Sequence, residues 1–134
     1  MLDMHEALIH GMVTMAAADA SVADTELEAI GKIVTTLPVF QDFDLARLPR
    51  IAETCLAKLD DEDGLERILR EMKAGLPVSL RETAYALAVE VAASDLKATD
   101  EELNLLQMIR QSLELDRLIC TGIERGARAR YTFV

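Results

Sequence analysis

A twelve-residue segment that occurs twice constrains the fold of this chain more than any other feature. Residues 16–27 contain acids at fixed spacing, and residues 92–103 repeat that spacing 76 positions later. The matching acids are Asp19 with Asp95, Asp24 with Asp100, and Glu26 with Glu102. Each copy has the pattern of an apolar helix that ends at an aspartate, a tight bend, and a second helix that begins with acids. The duplication therefore predicts two related helical halves, over about residues 3–37 and 79–113.

The rest of the chain also has the periodicity of helices. Apolar residues recur at spacings of three and four positions, as on one face of an α-helix. Pro38, and Gly75 followed by Pro77, are typical of helix ends. The 134 residues include no tryptophan and only three phenylalanines and two tyrosines. The core therefore has to be mainly aliphatic. We therefore predict an all-α protein, a single compact domain over residues 1–134 with about seven helices and two pseudo-repeated halves.

Capping-box patterns indicate where several helices begin. Such patterns occur at residues 25–28, 63–66, 79–82 and 99–102. Within the repeated helices, the apolar spacing predicts that Leu27 and Leu103 point inward. The last helix is predicted to begin near Asp116 and to pack three apolar residues against the core: Leu118, Ile119 and Ile123.

The net charge of −10 bears on the classes of partner. A chain this acidic is repelled by nucleic acid and anionic membranes, so we expect a cation or a basic protein surface instead. No apolar run approaches the roughly 18 to 20 residues that span a bilayer, and no signal-peptide pattern is present. Cys55 and Cys120 lie in apolar helical patterns and are predicted to be buried free thiols. Together these features predict a cytoplasmic protein without a transmembrane segment.

The sequence has no familiar catalytic or metal-binding motif. Loops that start at Asp19 or Asp95 fail the EF-hand pattern, because an apolar residue occupies the twelfth position, where glutamate is required. His5 and His10 lie five residues apart, so they diverge by more than about 100° around a helix. We expect surface or partly buried histidines rather than co-ligands. With no plausible nucleophile–base pair, we do not expect an enzyme.

One interpretation of the repeated acids is structural. Asp24 lies at a helix start, and Glu26 and Glu102 lie in first turns, where the helix dipole favours negative charge. Asp19 and Asp95 fit less well, because the C-terminal end of a helix disfavours a carboxylate by about 0.3–1 kcal/mol. Even there, an aspartate can accept hydrogen bonds from the backbone of the following bend.

The other interpretation is a shared binding site. If the two halves are related by a pseudo-twofold axis, six carboxylates converge: Asp19, Asp24, Glu26, Asp95, Asp100 and Glu102. Carboxylates this close repel each other unless a cation or a basic group lies between them. Oxygen ligands favour a hard divalent cation such as Ca²⁺, Mg²⁺ or Mn²⁺ over Zn²⁺.

At these residues the chain resembles the TerB family of tellurite-resistance proteins. The resemblance rests on Asp19 followed by Asp24-x-Glu26, on the second copy of that motif, and on the helix order over almost the whole chain. Where the family usually has glycine after the first aspartate, this chain has Ala20 and Leu96. The resemblance implies an all-α fold of two pseudo-repeated halves and a cytoplasmic, non-enzymatic protein of stress responses. It also implies that the six acids bind a divalent metal.

Two hypotheses of function follow. The first is a tellurite-resistance-type stress-response protein that binds a divalent cation through the duplicated acidic motif. The second is a helical protein–protein interaction module, whose acidic face docks a basic partner or whose apolar groove takes a partner helix. In both, we expect a protein partner.

Overall fold

The computed structural model describes residues 1–18, 24–94 and 98–134, which form seven α-helices. The helices are α1 (Met4–Ala16), α2 (Asp24–Thr36), α3 (Leu48–Leu59), α4 (Gly64–Gly75), α5 (Arg81–Ala93), α6 (Asp100–Ser112) and α7 (Arg117–Arg130). Three one-turn 3-10 helices lie in the connections, at Pro38–Phe40, Leu45–Arg47 and Val78–Leu80. The described ranges contain no β-strand. The predicted all-helical compact domain is confirmed.

Helices α1 and α5 form the centre of the fold. All residues from 7 to 16 of α1 are buried, and so are seven residues of α5. A helix that is apolar on most of its faces needs neighbours on most of its faces. Accordingly, α1 packs against α5, α3 and α4, and α5 also packs against α2, α6 and α7. The central pair therefore carries one continuous core to which the outer helices attach.

The duplication is visible in the helix boundaries. Helices α2 and α6 each contain 13 residues, and their first residues, Asp24 and Asp100, lie 76 positions apart. Each follows a 13-residue apolar helix, α1 or α5. Ile30 in α2 and its equivalent in α6, Leu106, are both buried. The repeated unit is thus a helix pair, with α3 and α4 between the two copies and α7 after the second.

Two helices begin with a complete capping box. Thr99 is the N-cap of α6 and exchanges hydrogen bonds with Glu102, as the sequence predicts. Asp3 and Glu6 form the same reciprocal arrangement at the start of α1. Each box satisfies backbone N–H groups that have no partner within the first helical turn.

Three other predicted boxes are wrong. Ser79 lies in the 3-10 helix before α5, and the N-cap of α5 is Leu80, which makes no side-chain capping bond. Asp63 occupies the N-cap position of α4 without making the bond. Because α2 already begins at Asp24, Thr25 lies inside the helix. A four-residue pattern does not by itself determine where the first turn starts.

Helix α7 is the least enclosed of the seven. It begins at Arg117, with Asp116 as N-cap, close to the predicted start. Leu118 and Ile119, which were predicted to pack inward, are exposed instead. The reason is that α7 lies mainly on α5 and buries one narrow stripe, so that only part of its apolar surface can be covered.

Two predictions from composition can also be compared with the structure. Cys55 and Cys120 are buried and form no disulfide, as predicted. In the described part of the chain, none of the helices combines the length and hydropathy needed to cross a bilayer.

Candidate functional site

The duplicated motif places two glutamates in the protein interior. Glu26 and Glu102 are each 1% exposed, at the third position of α2 and α6. The neighbouring Leu27 and Leu103, predicted to be buried, are 54% and 50% exposed. The helices therefore turn the carboxylate inward and the leucine outward. Burying an ionised carboxylate is unfavourable unless it is paired or hydrogen-bonded. The burial of a glutamate in both helices therefore requires compensating interactions.

The contacts of Glu102 account for one of its two oxygens. Oε1 accepts hydrogen bonds from the backbone N–H and the hydroxyl of Thr99, at 2.9 and 3.3 Å. Oε2 is also buried, and no donor among the described residues bonds to it. Buried carboxylate oxygens normally have a partner. Glu102 thus uses one oxygen to cap α6 and keeps a second acceptor in the interior.

The other acids of the motif occupy different environments. Asp24 and Asp100 are exposed at the first positions of α2 and α6, where the dipole of each helix favours them. The predicted ligands Asp19 and Asp95 lie outside the described residues. Within residues 1–18, 24–94 and 98–134, no three His, Cys, Asp or Glu side chains are arranged to hold a metal ion. The six-carboxylate site therefore stays a prediction.

A second buried polar cluster, which the sequence analysis missed, lies between α1, α3 and α4. Lys58 is nearly buried, and its ammonium group donates to Glu71 Oε1 at 2.8 Å and to His10 Nε2 at 3.1 Å. His10 Nδ1 lies 2.8 Å from the carbonyl oxygen of Glu6, so it carries the proton and Nε2 is the acceptor. We call His10, Lys58 and Glu71 the α1–α3–α4 polar cluster.

Burial and charge shift the pKa values in this region. Desolvation, and next the positive charge of Lys58, lower the pKa of His10 below its usual 6.5. The hydrogen bond from Lys58 lowers the pKa of Glu71. Burial raises the pKa of the nearby Cys55 thiol, which donates to the His10 carbonyl oxygen at 3.6 Å. The cluster therefore holds a neutral histidine beside a Lys–Glu ion pair, with the neutral Cys55 thiol next to it and Arg67 3.9 Å from Glu71. This arrangement is suited to joining helices.

The two histidines have separate roles. His10 is 1% exposed, so the expectation of a surface or partly buried residue was wrong for it. His5 is partly buried; it stacks on Phe40 with 5.3 Å between ring centroids and hydrogen-bonds to the Val39 carbonyl oxygen. A signal for the cluster existed in α3, because Lys58 lies three residues after Cys55, on the buried stripe of that helix.

Comparison with known proteins gives one match, to a sequence family. Residues 5–121 match the sequence family described as tellurite resistance protein TerB. A search of curated proteins and a search of solved structures each gave no match. The matched range begins in α1, includes both copies of the acidic motif and ends in α7. The chain therefore belongs to the TerB family of tellurite-resistance proteins.

Proposed function

We propose that the protein binds a divalent cation through its duplicated acidic motif. The observation that carries this proposal is the burial of Glu26 and Glu102 at equivalent positions, each beside an exposed leucine. A cap or the helix dipole favours an acid at such a position, but the capping bonds of Glu102 use only Oε1 and leave Oε2 buried without a donor among the described residues. A cation would compensate the desolvation of that Glu102 oxygen.

The donor set fits a hard cation. Glu102 Oε2 is a buried oxygen without a hydrogen-bond donor among the described residues, and is therefore a candidate ligand atom. The proposed ligands are the six acids of the motif: Asp19, Asp24, Glu26, Asp95, Asp100 and Glu102. Carboxylate oxygens favour Ca²⁺, Mg²⁺ or Mn²⁺. The bound ion would reduce the repulsion among these acids and join the two halves of the fold.

The biological setting of this proposal comes from the family. A tellurite-resistance family member is expected to act in a cytoplasmic stress response, and we propose that this chain acts there as a cation-dependent binding protein without catalytic activity. In such a protein, the bound cation would stabilise the first turns of α2 and α6. It would thereby control the surface to which a protein partner binds.

Thermal unfolding of chelator-treated protein tests cation binding directly. We expect Ca²⁺, Mg²⁺ or Mn²⁺ to raise the midpoint selectively, with Zn²⁺ as the comparison ion. An ion at about ten times its dissociation constant adds about 1.4 kcal/mol, or a few degrees for a domain of this size. The shift should disappear in Glu26→Gln/Glu102→Gln and in Asp19→Asn/Asp95→Asn.

A matched control removes two carboxylates elsewhere. Glu53 and Glu62 are exposed acids outside the motif, so Glu53→Gln/Glu62→Gln should keep the ion-dependent shift. Equal shifts in all variants would mean that ions act on the overall charge of −10 rather than at a site. No shift with any ion in the unmodified protein would contradict the proposal and leave the acids as helix caps.

A second candidate function is the docking of a basic helix without metal. A groove of about 620 Å³ between the ends of α1 and α3, the first turns of α6 and the start of α4 has a mainly apolar lining with acids at its edge. Its apolar residues include Leu56, Leu59, Leu65, Leu105 and Met108, and its acids are Asp60 and Glu101. Under this hypothesis, a synthetic leucine–lysine helix should bind in the presence of chelator. Binding that Asp60→Asn/Glu101→Gln leaves unchanged would exclude this groove.

A further inference from the structure

The groove between α1, α3, α4 and the first turns of α6 exposes apolar side chains to solvent. Leu56, in its lining, is 41% exposed. Leu59, Leu65 and Met108 line it as well and are partly exposed. An apolar lining that solvent can reach is a surface that a partner can cover with a gain in stability. We call it the acidic groove, because of the charges described next.

The charges around this groove are negative. Its lining contains Asp60 and Glu101 and no lysine, arginine or histidine. Three more acids follow directly in the turn at residues 61–63. The bases on either side of that turn, Lys58 and Arg67, are already within 4 Å of carboxylates of the same chain. The acidic groove is therefore complementary to a ligand that is both apolar and basic.

The solvent side of α7 is a surface of that kind. Leu118 is 78% exposed and Ile119 is 42% exposed. A Cβ atom at Gly122 would meet no atom within 4 Å, so no other element covers the middle of this side. Arg125 follows Leu118 by seven residues, or about two helical turns, and lies on the same side of α7.

Helix α7 is also basic. Residues 117–130 include four arginines and one glutamate, a larger excess of positive charge than in any other helix of the described chain. Arg130 pairs with a carboxylate of α5. Arg125 and Arg128 are exposed and form no ion pair with a described carboxylate. These two arginines are available to a ligand outside the chain.

The acids near α7 do not neutralise its solvent side. These acids are Glu82, Glu90, Asp116 and Glu124. Glu124 accepts a hydrogen bond of 2.6 Å from the Tyr85 hydroxyl of α5, and Glu90 is the partner of Arg130. Asp116 caps the start of the helix, and Glu82 acts on Cys120, which is buried in its first turn. Their charges are thus directed toward α5 or the start of α7.

The two complementary surfaces do not meet within one copy of the chain. Helix α7 packs mainly on α5, and none of its residues lines the acidic groove. Contact between them therefore requires two copies.

We propose that α7 of one copy binds in the acidic groove of a second copy, with Leu118 over the apolar lining and Arg125 beside the acids at its edge. This inference rests on the second candidate function and names the basic helix that occupies its groove. Each copy keeps one unused groove and one unused helix, so the contact is head-to-tail and can extend to further copies. Because copies of net charge −10 repel each other, association should increase from low ionic strength to about 0.15 M salt, where that repulsion is screened.

Sedimentation velocity of the full chain with chelator present tests the proposal through two variants. Leu118→Gln/Arg125→Glu blocks the helix, and Leu56→Gln/Asp60→Arg blocks the groove. All four residues are exposed, so both variants should fold. Each alone should self-associate about tenfold more weakly than the parent, or less. The two variants change the net charge in opposite directions, so a loss in both cannot come from overall repulsion.

Mixing the two variants gives the sharpest result. One intact groove and one intact helix remain in the mixture, so we expect a dimer of one copy of each that does not extend. In NMR spectra, adding the groove-blocked variant should shift amide signals of the helix-blocked variant at residues 56–65 and 101–108. The control Leu27→Gln/Lys32→Glu makes the same kinds of change on the exposed side of α2 and should self-associate like the parent.

Other outcomes would overturn the proposal. A parent chain that stays monomeric at millimolar concentration has no such contact. Self-association of the groove-blocked variant alone would mean that α7 pairs with α7 instead. If the leucine–lysine helix binds the acidic groove but the mixed variants form no dimer, the second candidate function stands and α7 is not its ligand.

Discussion

Replacing Gly64 with alanine is expected to destabilise the protein by roughly 3 kcal/mol. Gly64 is the first residue of α4, and a Cβ atom there would lie 1.8 Å from the carbonyl oxygen of Lys58 and 2.7 Å from its carbonyl carbon. These are backbone atoms, so no side-chain rotation relieves the clash. The turn from α3 to α4 has to open, and it also contains the hydrogen bond from Asp61 N to the same Lys58 oxygen.

Gly122→Ala is the matched control for this change. Gly122 lies within α7, and a Cβ atom there meets no atom within 4 Å. Alanine should therefore stabilise the protein by about 0.5–1 kcal/mol through its higher helix propensity. Chemical denaturation followed by circular dichroism measures both changes. A Gly64→Ala protein as stable as the parent would mean that the α3–α4 turn adapts at little energetic cost.

The helix pairs of the duplication could be predicted because their signals are local. The start of α6 follows from Thr99 and Glu102, whose bonds span three residues. The orientation of that first turn could not be predicted in the same way. Leu106 is buried in α6, and residues three or four positions before it can lie on the same face of the helix. Leu103 is three positions before it and Glu102 is four, so either side chain could point into the core. Hydrophobicity favours the leucine, but the capping bonds to Thr99 draw the glutamate inward.

The position of Lys58 on the buried stripe of α3 signalled a polar contact, but its partners in the α1–α3–α4 polar cluster could not be predicted because they are distant in sequence. Lys58 contacts His10, 48 residues earlier, and Glu71, 13 residues later. A lysine on an apolar stripe is ordinarily interpreted as one that extends its charged end to solvent. Here α4 brings a carboxylate to the ammonium group, and the pairing depends on how three helices pack. The candidate cation site poses the same difficulty, since its proposed ligands come from both halves.

Replacing Lys58 with methionine is the second change with a large expected effect. Methionine keeps most of the apolar volume but removes the positive charge that joins Glu71 to His10. The buried His10 Nε2 acceptor then loses its donor, whereas Glu71, whose side chain is 28% exposed, keeps Arg67 at 3.9 Å. A buried acceptor left without its donor, together with the weakened Glu71 ion pair, should cost about 2 kcal/mol. Lys73→Met provides the control, because the Lys73–Glu114 pair is exposed and should contribute far less to stability.

The pH dependence of stability distinguishes loss of this charge from a packing defect. Because the pKa of His10 is lowered in the folded protein, the unfolded chain binds more protons once the pH falls below about 6.5. The contribution of His10 is therefore complete above that pH and decreases as the pH falls through the folded-state pKa. Without Lys58, the pKa of His10 moves back toward 6.5, since burial then remains as the main cause that lowers it. Between pH 5 and 7, the free energy of unfolding of Lys58→Met should consequently vary less with pH than that of the parent or of Lys73→Met. Parallel pH profiles for all three proteins would show that Lys58 does not act on His10 through its charge.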